Sequence, residues 1–337
     1  MTSLMPSTLD TTRAFVEPAL RAAVGRLDPW SYRVTAYHLG WCDEDGQPTV
    51  GSGGKAIRPA MALLAAQAVG GLAGSAVPGA VAVELVHNFS LLHDDLLDRD
   101  TQRRHRRTVW AVWGEATAIL TGDALLALAH EILLESPNPA AGRAAWLLAS
   151  ATRELTRGQT ADLAFETRGD VALEECLDMA AAKTGSLLAT SAGIGAVLGG
   201  GSDSTVDAML RFGREFGLAF QLVDDVLGVW GDPAVTGKPV HSDLRARKKS
   251  LPVTYAAGQP DCAPELTAWL AGTGEPDPEG LPAIAALLEE AGARAWALAE
   301  AERRMGLAEQ ALLEVELEPH ARAELLALAR YVVERDR

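Results

Sequence analysis

Two pairs of adjacent aspartates stand out because each lies within an apolar segment. The first pair, Asp94 and Asp95, is followed by Asp98 in the segment VELVHNFSLLHDDLLDRD. A helix turns about 100° per residue, so these carboxylates would share roughly a 100° arc with Glu84 and His87. Like charges one turn apart destabilise a helix, and burying them without partners costs far more. We therefore expect a positive group in front of the aspartates, although an arbitrary DDxxD pattern is more often a solvated acidic face.

The second pair, Asp224 and Asp225, lies in the segment FGREFGLAFQLVDDVLGVWGD and shares a helical face with Gln221. Two such pairs, each on an apolar helix, would face each other across a helical bundle. Carboxylates are hard oxygen ligands of the kind that Mg²⁺ prefers, and Mg²⁺ commonly shares its ligand shell with phosphate oxygens. The two acidic segments therefore predict a Mg²⁺ site that binds a phosphorylated substrate.

Basic residues flank both acidic segments. A Gly-Gly-Lys turn leads into a predicted helix start, where free backbone N–H groups would help Lys55 and Arg58 to bind an anion. The segment TQRRHRRT, directly after the first aspartates, carries four arginines, whose planar forked donors suit phosphate oxygens. A basic surface loop paired with the aspartates would give the same pattern. The cations that would complete two anion sites are Lys55, Arg58, Arg103, Arg104, Lys238 and Lys248.

The lysines are distributed unlike ordinary surface residues. Of 30 basic residues only five are lysine. The last of them is Lys249, so the predicted C-terminal helices contain no lysine. The chain therefore uses arginine for routine surface charge and keeps lysine where a compact cation is needed. Lys183, beside Thr184, lies in an otherwise uncharged helical segment, where a lysine is costly unless an anion or a polar partner meets it.

Composition predicts an all-α protein in the cytoplasm. Ala, Leu, Glu and Arg dominate the 337 residues, and β-branched runs of strand length are nearly absent. The net charge of −15 argues against nucleic-acid binding. Three widely spaced cysteines form neither a disulfide framework nor a zinc motif. The N-terminal residues lack the basic region and the apolar run that are typical of a signal peptide. Glycines interrupt the uncharged stretch 59–83, which argues against a membrane span.

We expect a single domain over residues 1–337, built as one large helical bundle. Residues 1–50 would form N-terminal helices and a loop, residues 53–255 the catalytic core, and residues 280–337 structural helices. The Pro- and Gly-rich stretch 258–279 indicates a connector.

In combination these segments resemble the trans-isoprenyl diphosphate synthases. The similar segments are, in the family's order, GGKAIRP, ELVHNFSLLHDDLLDRDTQRRHR, GDALL, KTGSLL and FQLVDDVLGVWGDPAVTGKPVHSDLRARKKSLP. The resemblance implies an all-α fold around a deep central cavity, a homodimer, and Mg²⁺ as cofactor. It also implies head-to-tail 1'-4 condensation of isopentenyl diphosphate with an allylic diphosphate (dimethylallyl, geranyl or farnesyl).

The resemblance also implies roles for individual residues. The metal ligands would be Asp94, Asp95, Asp98, Asp224 and Asp225. Isopentenyl diphosphate would be bound by Lys55, Arg58, His87 and Arg104. The allylic diphosphate or the developing cation would be held by Arg103, Lys183, Thr184, Gln221, Lys238 and Lys248.

Four residues depart from the family's usual pattern. Ala56 replaces a frequent basic residue, and Arg107 takes a usual proline position. Gly228 stands where the second acidic motif often has a third aspartate, and His241 takes a usual glycine position.

Product length is predicted from the residues just before the first aspartate pair. Phe89, five residues before Asp94, is large and aromatic, whereas Ser90, four residues before, is small. This combination resembles synthases that make geranylgeranyl diphosphate, the C20 product, and farnesyl or longer polyprenyl diphosphate is the alternative. A helical wheel places Ser90 about 40° from Asp94 and Phe89 well round the helix, so the wheel alone would not choose Phe89 as the floor.

Two other functions remain open. A class I terpene cyclase would ionise an allylic diphosphate without a second diphosphate site. The residues expected at that second site argue against it: Lys55, Arg58, His87 and Arg104. A non-catalytic subunit of a heteromeric synthase would be expected to lose an aspartate pair, and both pairs are present here.

Overall fold

Helices make up nearly all of the regular structure. The computed structural model describes residues 5–49, 54, 56–232, 240–272 and 276–334. Within these residues the helices are α1 (Met5–Val24), α2 (Pro29–His38), α3 (Ile57–Ala68), α4 (Val77–Leu97), α5 (Val109–Trp113), α6 (Glu115–Leu134), α7 (Ala141–Thr167), α8 (Leu173–Ala180), α9 (Ser186–Leu198), α10 (Asp203–Trp230), α11 (Ser242–Arg245), α12 (Leu251–Ala257), α13 (Ala263–Leu270), α14 (Leu281–Glu290), α15 (Ala293–Leu313) and α16 (Pro319–Glu334). A 3₁₀ turn (Ala73–Ala76) precedes α4, and a π-helical turn (Ala181–Gly185) joins α8 to α9. The predicted all-α class is confirmed.

The chain forms two compact units, each assembled from separate stretches of sequence. The first unit comprises Met1–Thr152, Thr190–Leu210 and Glu314–Leu328. The second unit comprises Arg153–Ala189, Arg211–Leu313 and Ala329–Arg337. The single domain expected from the sequence stays a prediction.

The long helix α4 is central to the first unit, where it contacts α1, α3 and α6. Pro78 lies in its first turn, where proline lacks an N–H that would be unpaired in any case. Gly79 allows α4 to lie close to α9, because a β-carbon at this position would stand 2.4 Å from a methyl carbon of Ile194. The two buried helices predicted for residues 59–83 correspond to α3 and the start of α4.

Two helices of the first unit are long and apolar enough to cross a membrane, Ala73–Leu97 and Glu115–Leu134. In the most apolar 18-residue stretch of the first helix, 67% is buried within the protein, and in that of the second helix 39% is buried. Length and composition alone are weak evidence for a membrane span, because a core helix of a soluble protein meets the same criterion.

The second unit has a core of its own, in which α12, α14 and α15 pack together. Val229, Leu244, Val253, Leu266 and Leu288 are all buried in it. Leu266 belongs to α13, which lies within the stretch 258–279. The prediction that this stretch is a connector is therefore wrong. Leu266 is buried in the core, although proline and glycine residues flank its helix.

Candidate active site

The first group of aspartates lies at the C-terminal end of α4. Asp94 and Asp95 belong to the last turn of the helix, and Asp98 follows it directly. Asp95 is only 1% exposed, whereas Asp94 is half-buried and Asp98 is exposed. The carbonyl end of a helix carries partial negative charge, which adds to the charge of the three carboxylates. The position therefore favours a cation.

A β-hairpin returns the following arginines to these aspartates. Strands β1 (Gln102–Arg103) and β2 (Arg106–Arg107) pair antiparallel. The turn between them consists of Arg104 and His105, with φ angles of 52° and 61°, and two positive φ angles are typical of two-residue hairpin turns. The Nε atom of Arg103 donates to Oδ1 of Asp95 at 2.5 Å. Arg103 is thus a positive group in front of the aspartates, as expected from their spacing.

The other oxygen of Asp95 fits a metal ligand. Oδ2 is buried and has no hydrogen-bond partner among the residues that the structure describes. Burial raises the pKa of Asp95 to about 6, although the neighbouring Arg103 opposes this rise. A buried oxygen without a partner is costly, and a hard cation would satisfy it. Within the described ranges no three His, Cys, Asp or Glu side chains are grouped to hold an ion by themselves, so water or substrate would have to supply further ligands.

A second polar group surrounds Glu84 on α4. Burial raises the pKa of the Glu84 carboxyl, and the charge of Arg58 opposes this rise. The Nδ2 atom of Asn88 donates to Oε1 of Glu84 at 3.3 Å. Burial lowers the pKa of Arg58 to about 10. Burial and the charges of Arg58 and Arg104 also lower the pKa of His87 well below 6.5, so this ring is neutral at pH 7. The structure thus brings Arg58, His87 and Arg104 together.

A basic cavity of about 140 Å³ lies beside Asp95 and the hairpin. Arg103 and Arg104 line it together with His38, a residue that was not predicted from the sequence. Burial, with the charges of both arginines, lowers the pKa of His38 to about 3. The segment around His38 contains no motif, and only the packing of α2 against this cavity identifies it.

We expect His38→Gln to make the free energy of unfolding depend less on pH below pH 6.5. The pKa of His38 is about 3 in the folded protein and 6.5 in the unfolded chain, so the unfolded chain binds more protons between these values. Stability is therefore greatest above pH 6.5 and is lost as the pH falls. This one group costs about 1 kcal/mol between pH 6.5 and pH 5.5, and the variant should lack that loss. Urea unfolding at both pH values measures it. His320→Gln, at an exposed position, should keep the wild-type slope, and an unchanged slope in His38→Gln would contradict the prediction.

The second aspartate pair lies near the C-terminal end of α10, where Asp225 is 4% exposed and Asp224 is half-buried. A directional chain of hydrogen bonds leads to Asp225. Oγ1 of Thr184 donates to Oε1 of Gln221 at 2.6 Å, and Nε2 of Gln221 donates to Oδ1 of Asp225 at 2.7 Å. The N–H of Leu251, at the start of α12, donates to Oδ2 at 2.9 Å. Thr184 and Gln221, which the resemblance places in one group, are therefore linked to Asp225, one of the expected metal ligands.

The charge of a half-buried lysine acts on this carboxylate. Burial raises the pKa of Asp225 to about 7, and the charge of Lys248 opposes this rise. Burial alone would lower the pKa of Lys248, but neighbouring aspartates, chiefly Asp243 and Asp225, raise it. The Nζ atom of Lys183, in the π-helical turn, contacts Oδ2 of Asp162 at 2.7 Å. π-helical turns occur often at functional sites.

Phe89 and Ser90, the residues predicted to set product length, lie on α4 before the first aspartate pair. Phe89 is 8% exposed and packs edge-to-face against His93, with ring centroids 4.7 Å apart. Oγ of Ser90 donates to the carbonyl of His87 at 2.8 Å. Lys55 and Lys238 lie outside the described residues.

Comparison with known proteins gives a consistent result. A (2E,6E)-farnesyl diphosphate synthase of Mycobacterium tuberculosis is 52% identical over 331 residues, with 97% of this chain and 92% of the relative covered. A geranylgeranyl diphosphate synthase of the same species is 40% identical, with 97% and 93% covered. The crystal structure of a polyprenyl synthetase from Streptomyces coelicolor A3(2) matches with a TM-score of 0.90 and 51% identity, covering 97% of this chain and 98% of that one.

A more distant structure adds a ligand-bound example. A geranylgeranyl pyrophosphate synthase from Corynebacterium glutamicum, complexed with isoprenyl diphosphate and magnesium, matches with a TM-score of 0.79 and 26% identity, and 98% of each chain is covered. The family model described as polyprenyl synthetase matches residues 40–287. The resemblance predicted from the motifs is therefore confirmed: the chain belongs to the polyprenyl synthetase family and is a trans-prenyltransferase.

Proposed function

We propose that this chain condenses isopentenyl diphosphate with an allylic diphosphate in Mg²⁺-dependent, head-to-tail 1'-4 chain elongation. One observation carries the proposal. Each unit holds a helical aspartate pair whose buried member lies beside a cation, Asp95 beside Arg103 and Asp225 beside Lys248. Aspartate oxygens suit Mg²⁺ and the cations suit diphosphate, so both aspartate pairs have the chemistry that the reaction needs.

The proposed metal ligands are Asp94, Asp95, Asp98, Asp224 and Asp225. Their oxygens are hard donors, and Oδ2 of Asp95 lacks a hydrogen-bond partner among the described residues. Because the described side chains form no group of three that could hold an ion alone, we assign the remaining ligands to diphosphate oxygens and water. Mg²⁺, when bound, neutralises the charge that develops on the departing diphosphate.

We assign isopentenyl diphosphate to Arg58, His87 and Arg104, together with Lys55. The two arginines are partly stripped of water, which strengthens their attraction for an anion. The neutral ring of His87 would add one directed hydrogen bond without further charge. Glu84 and Asn88 hold this group in place, because Glu84 attracts Arg58 and Asn88 donates to Glu84.

In the reaction, the C–O bond of the allylic diphosphate breaks and its electron pair leaves with the diphosphate. We assign the diphosphate to Arg103, Lys238 and Lys248. The double bond of isopentenyl diphosphate then forms the new C–C bond, and the proton lost afterwards goes to the released diphosphate. The side chains of Lys183, Thr184 and Gln221 would steady the allylic cation, and the hydrogen bond of Gln221 to Asp225 fixes the direction of its amide.

We propose farnesyl diphosphate, the C15 product, in place of the C20 product predicted from the sequence. The farnesyl diphosphate synthase is 52% identical to this chain, whereas the geranylgeranyl diphosphate synthase of the same species is 40% identical at equal coverage of this chain. Geranylgeranyl diphosphate remains the second candidate, because Phe89 and Ser90 favour it.

We expect Phe89→Ala to lengthen the product by at least one C5 unit. The Phe89 ring is held by His93, whose Nε2 atom stands 2.4 Å from where a β-carbon of Gly122 would be, so the aromatic pair is braced against α6. Removing the ring leaves space that a longer chain can fill. Chromatography of the dephosphorylated products measures the change. Phe15→Ala, at an exposed position on α1, should keep the wild-type product, and an unchanged product in Phe89→Ala would exclude a role in chain length.

Radiolabelled isopentenyl diphosphate, offered with C5, C10 or C15 allylic primers and Mg²⁺, tests the proposed function. The expected result is incorporation with the C5 and C10 primers and a C15 product. A hydrocarbon formed from geranylgeranyl diphosphate alone would instead identify a terpene cyclase. No incorporation with any primer would contradict the proposal and would agree with a non-catalytic subunit.

We also propose a cytoplasmic homodimer that neither spans a membrane nor binds nucleic acid. Cys42, Cys176 and Cys262 are all free and buried, which suits a reducing compartment. Leu120 and Leu134 of α6 are 66% and 64% exposed, and apolar side chains at such positions are typical of a surface covered in an oligomer.

A further inference from the structure

A cavity of about 360 Å³ lies in the second unit. Its walls come from the connection between α7 and α8, from α12 with its flanking residues, and from α13. Among the described residues that line it there is no member of either aspartate pair. Small-molecule sites have volumes of about 300–1000 Å³, so this cavity is large enough for a ligand of its own.

One cation lies among the described residues that line this cavity. Lys249 is only 8% exposed. Its Nζ atom donates to the carbonyl of Glu166, in the last turn of α7, at 3.3 Å, and within the described ranges this carbonyl is its one hydrogen-bond partner. Burial lowers the pKa of Lys249, and the charge of Glu166 opposes this only in part. An ammonium group has three N–H donors. A buried charge with unused donors is costly, and an anion in the cavity would satisfy it.

The lining favours an apolar ligand with a single negative charge. Most of it is apolar and includes Val171, Leu173, Tyr255 and Leu270. Asp170 also lines the cavity, at an exposed position, and its Oδ1 atom accepts from Nε of Arg168 at 3.2 Å, which offsets its charge. A diphosphate would bring more negative charge than the one ammonium group of Lys249 can compensate, and uncompensated charge in a buried site is costly. A carboxylate brings one charge and two oxygens that accept hydrogen bonds.

Lys249 lies between two residues that act on the second aspartate pair. The charge of Lys248 acts on Asp225, and the N–H of Leu251 donates to it at 2.9 Å. The side chain of Lys249 lines the cavity instead, and the resemblance gives it no role, unlike the other four lysines. Because this chain keeps lysine where a compact cation is needed, an anion in the cavity is the expected partner of Lys249.

We propose that this cavity is a second ligand site, which binds a small monocarboxylate with its oxygens on Lys249 and its apolar body against Leu173, Tyr255 and Leu270. Binding there does not require prenyl transfer. The ligand would lie beside the segment 248–251, which acts on Asp225, and would not contact the aspartates themselves.

The small number of lysines makes the site directly observable. The full chain, produced with isotope-labelled lysine, gives five lysine side chains to follow by NMR, and the signal missing from Lys249→Arg assigns Lys249. We expect hexanoate to shift this signal. It should bind at least about tenfold more tightly than acetate, which lacks the apolar body, or hexanol, which lacks the charge. Saturating Mg²⁺ and pyrophosphate should change the affinity for hexanoate by less than about twofold, because the two sites are separate.

Two variants with matched controls test the charge and the space separately, by isothermal titration calorimetry with hexanoate. Lys249→Met removes the charge and keeps the length of the side chain, and it should weaken binding at least about tenfold. Arg245→Met removes a charge at an exposed position on α11, outside the cavity, and should bind as the wild type does. Ala257→Leu fills the cavity without changing any charge and should also weaken binding at least about tenfold. Ala268→Leu, at an exposed position on α13 outside the lining, should not.

A lysine that only caps the C-terminal end of α7 would give different results. Hexanoate would then shift no lysine signal, or would bind Lys249→Met and Ala257→Leu as tightly as the wild type, and either result would overturn the inference. Displacement of hexanoate by Mg²⁺ and pyrophosphate would place it on the diphosphate-binding residues and would overturn the inference equally. If Lys249→Met does not fold, Ala257→Leu and the Lys249 signal decide. A chain that binds hexanoate at Lys249 but transfers no prenyl group would lose only the proposed function.

Discussion

Replacing Asp225 by alanine is expected to reduce the condensation rate at least about a thousandfold and the free energy of unfolding by about 3 kcal/mol. Asp225 accepts hydrogen bonds from Gln221 at 2.7 Å and from the N–H of Leu251 at 2.9 Å. It also offsets the charge of Lys248. The alanine variant leaves a buried N–H at the start of α12 without its acceptor and the lysine with less compensating charge, and both effects are costly.

Asp225→Asn separates charge from hydrogen bonding. An asparagine that accepts from Leu251 turns its own N–H₂ towards the amide nitrogen of Gln221. Gln221 must then rotate, and its hydrogen bond with Thr184 reverses direction, because Nε2 of Gln221 now faces the hydroxyl oxygen. We therefore expect less loss of stability than in the alanine variant but a similar loss of rate. Urea unfolding and incorporation of labelled isopentenyl diphosphate measure the two quantities. Asp207→Ala, at an exposed position on the same helix, is the control and should stay within about 0.5 kcal/mol of the wild type. An Asp225→Ala variant with wild-type stability would show that these contacts contribute nothing.

The helical class and both aspartate helices could be predicted from the sequence because their signals are local. Apolar residues recur at helical spacing around Asp94 and Asp224, and this pattern alone places the carboxylates of each pair on one helix face. A positive group in front of the first pair could be predicted because neighbouring carboxylates repel each other and need a cation. Arg103 is a group of this kind in the structure.

The features that were not predicted depend on backbone conformation or on contacts between distant segments. A two-residue hairpin turn is ordinarily recognised by glycine or asparagine, whereas this turn uses Arg104 and His105. Asp243 meets Gly228 across 15 residues of sequence, and no spacing rule connects α10 to α11. His38 is brought to the basic cavity only by the packing of α2. None of these features has a signal in the residues next to it in the sequence.

Removing the guanidinium in Arg103→Ala is expected to lower the free energy of unfolding by about 3 kcal/mol at pH 7.5. Asp95 is 2% exposed in its side chain, and Arg103 is the cation that contacts it. The pKa of Asp95 is about 6 in the folded protein and 3.8 in the unfolded chain. The folded protein therefore binds more protons between these values, and this group makes it less stable as the pH rises. Arg103 limits that loss, so the cost of removing it should increase as the pH rises above 6.

The pH dependence and a double-mutant cycle together show whether Asp95 is responsible. At pH 5 the protonated carboxyl no longer needs a cation, so the effect of Arg103→Ala should fall below about 1 kcal/mol. In an Asp95→Asn background the same substitution should cost little at either pH, which gives a coupling free energy of about 2 kcal/mol. Arg107→Ala is the matched control from the same hairpin, because Arg107 is 54% exposed and reaches Glu44 only at 3.9 Å. An exposed pair of this kind contributes at most about 1 kcal/mol. Equal losses for Arg103→Ala at pH 5 and pH 7.5 would mean that the arginine stabilises the hairpin through packing and not through the charge of Asp95.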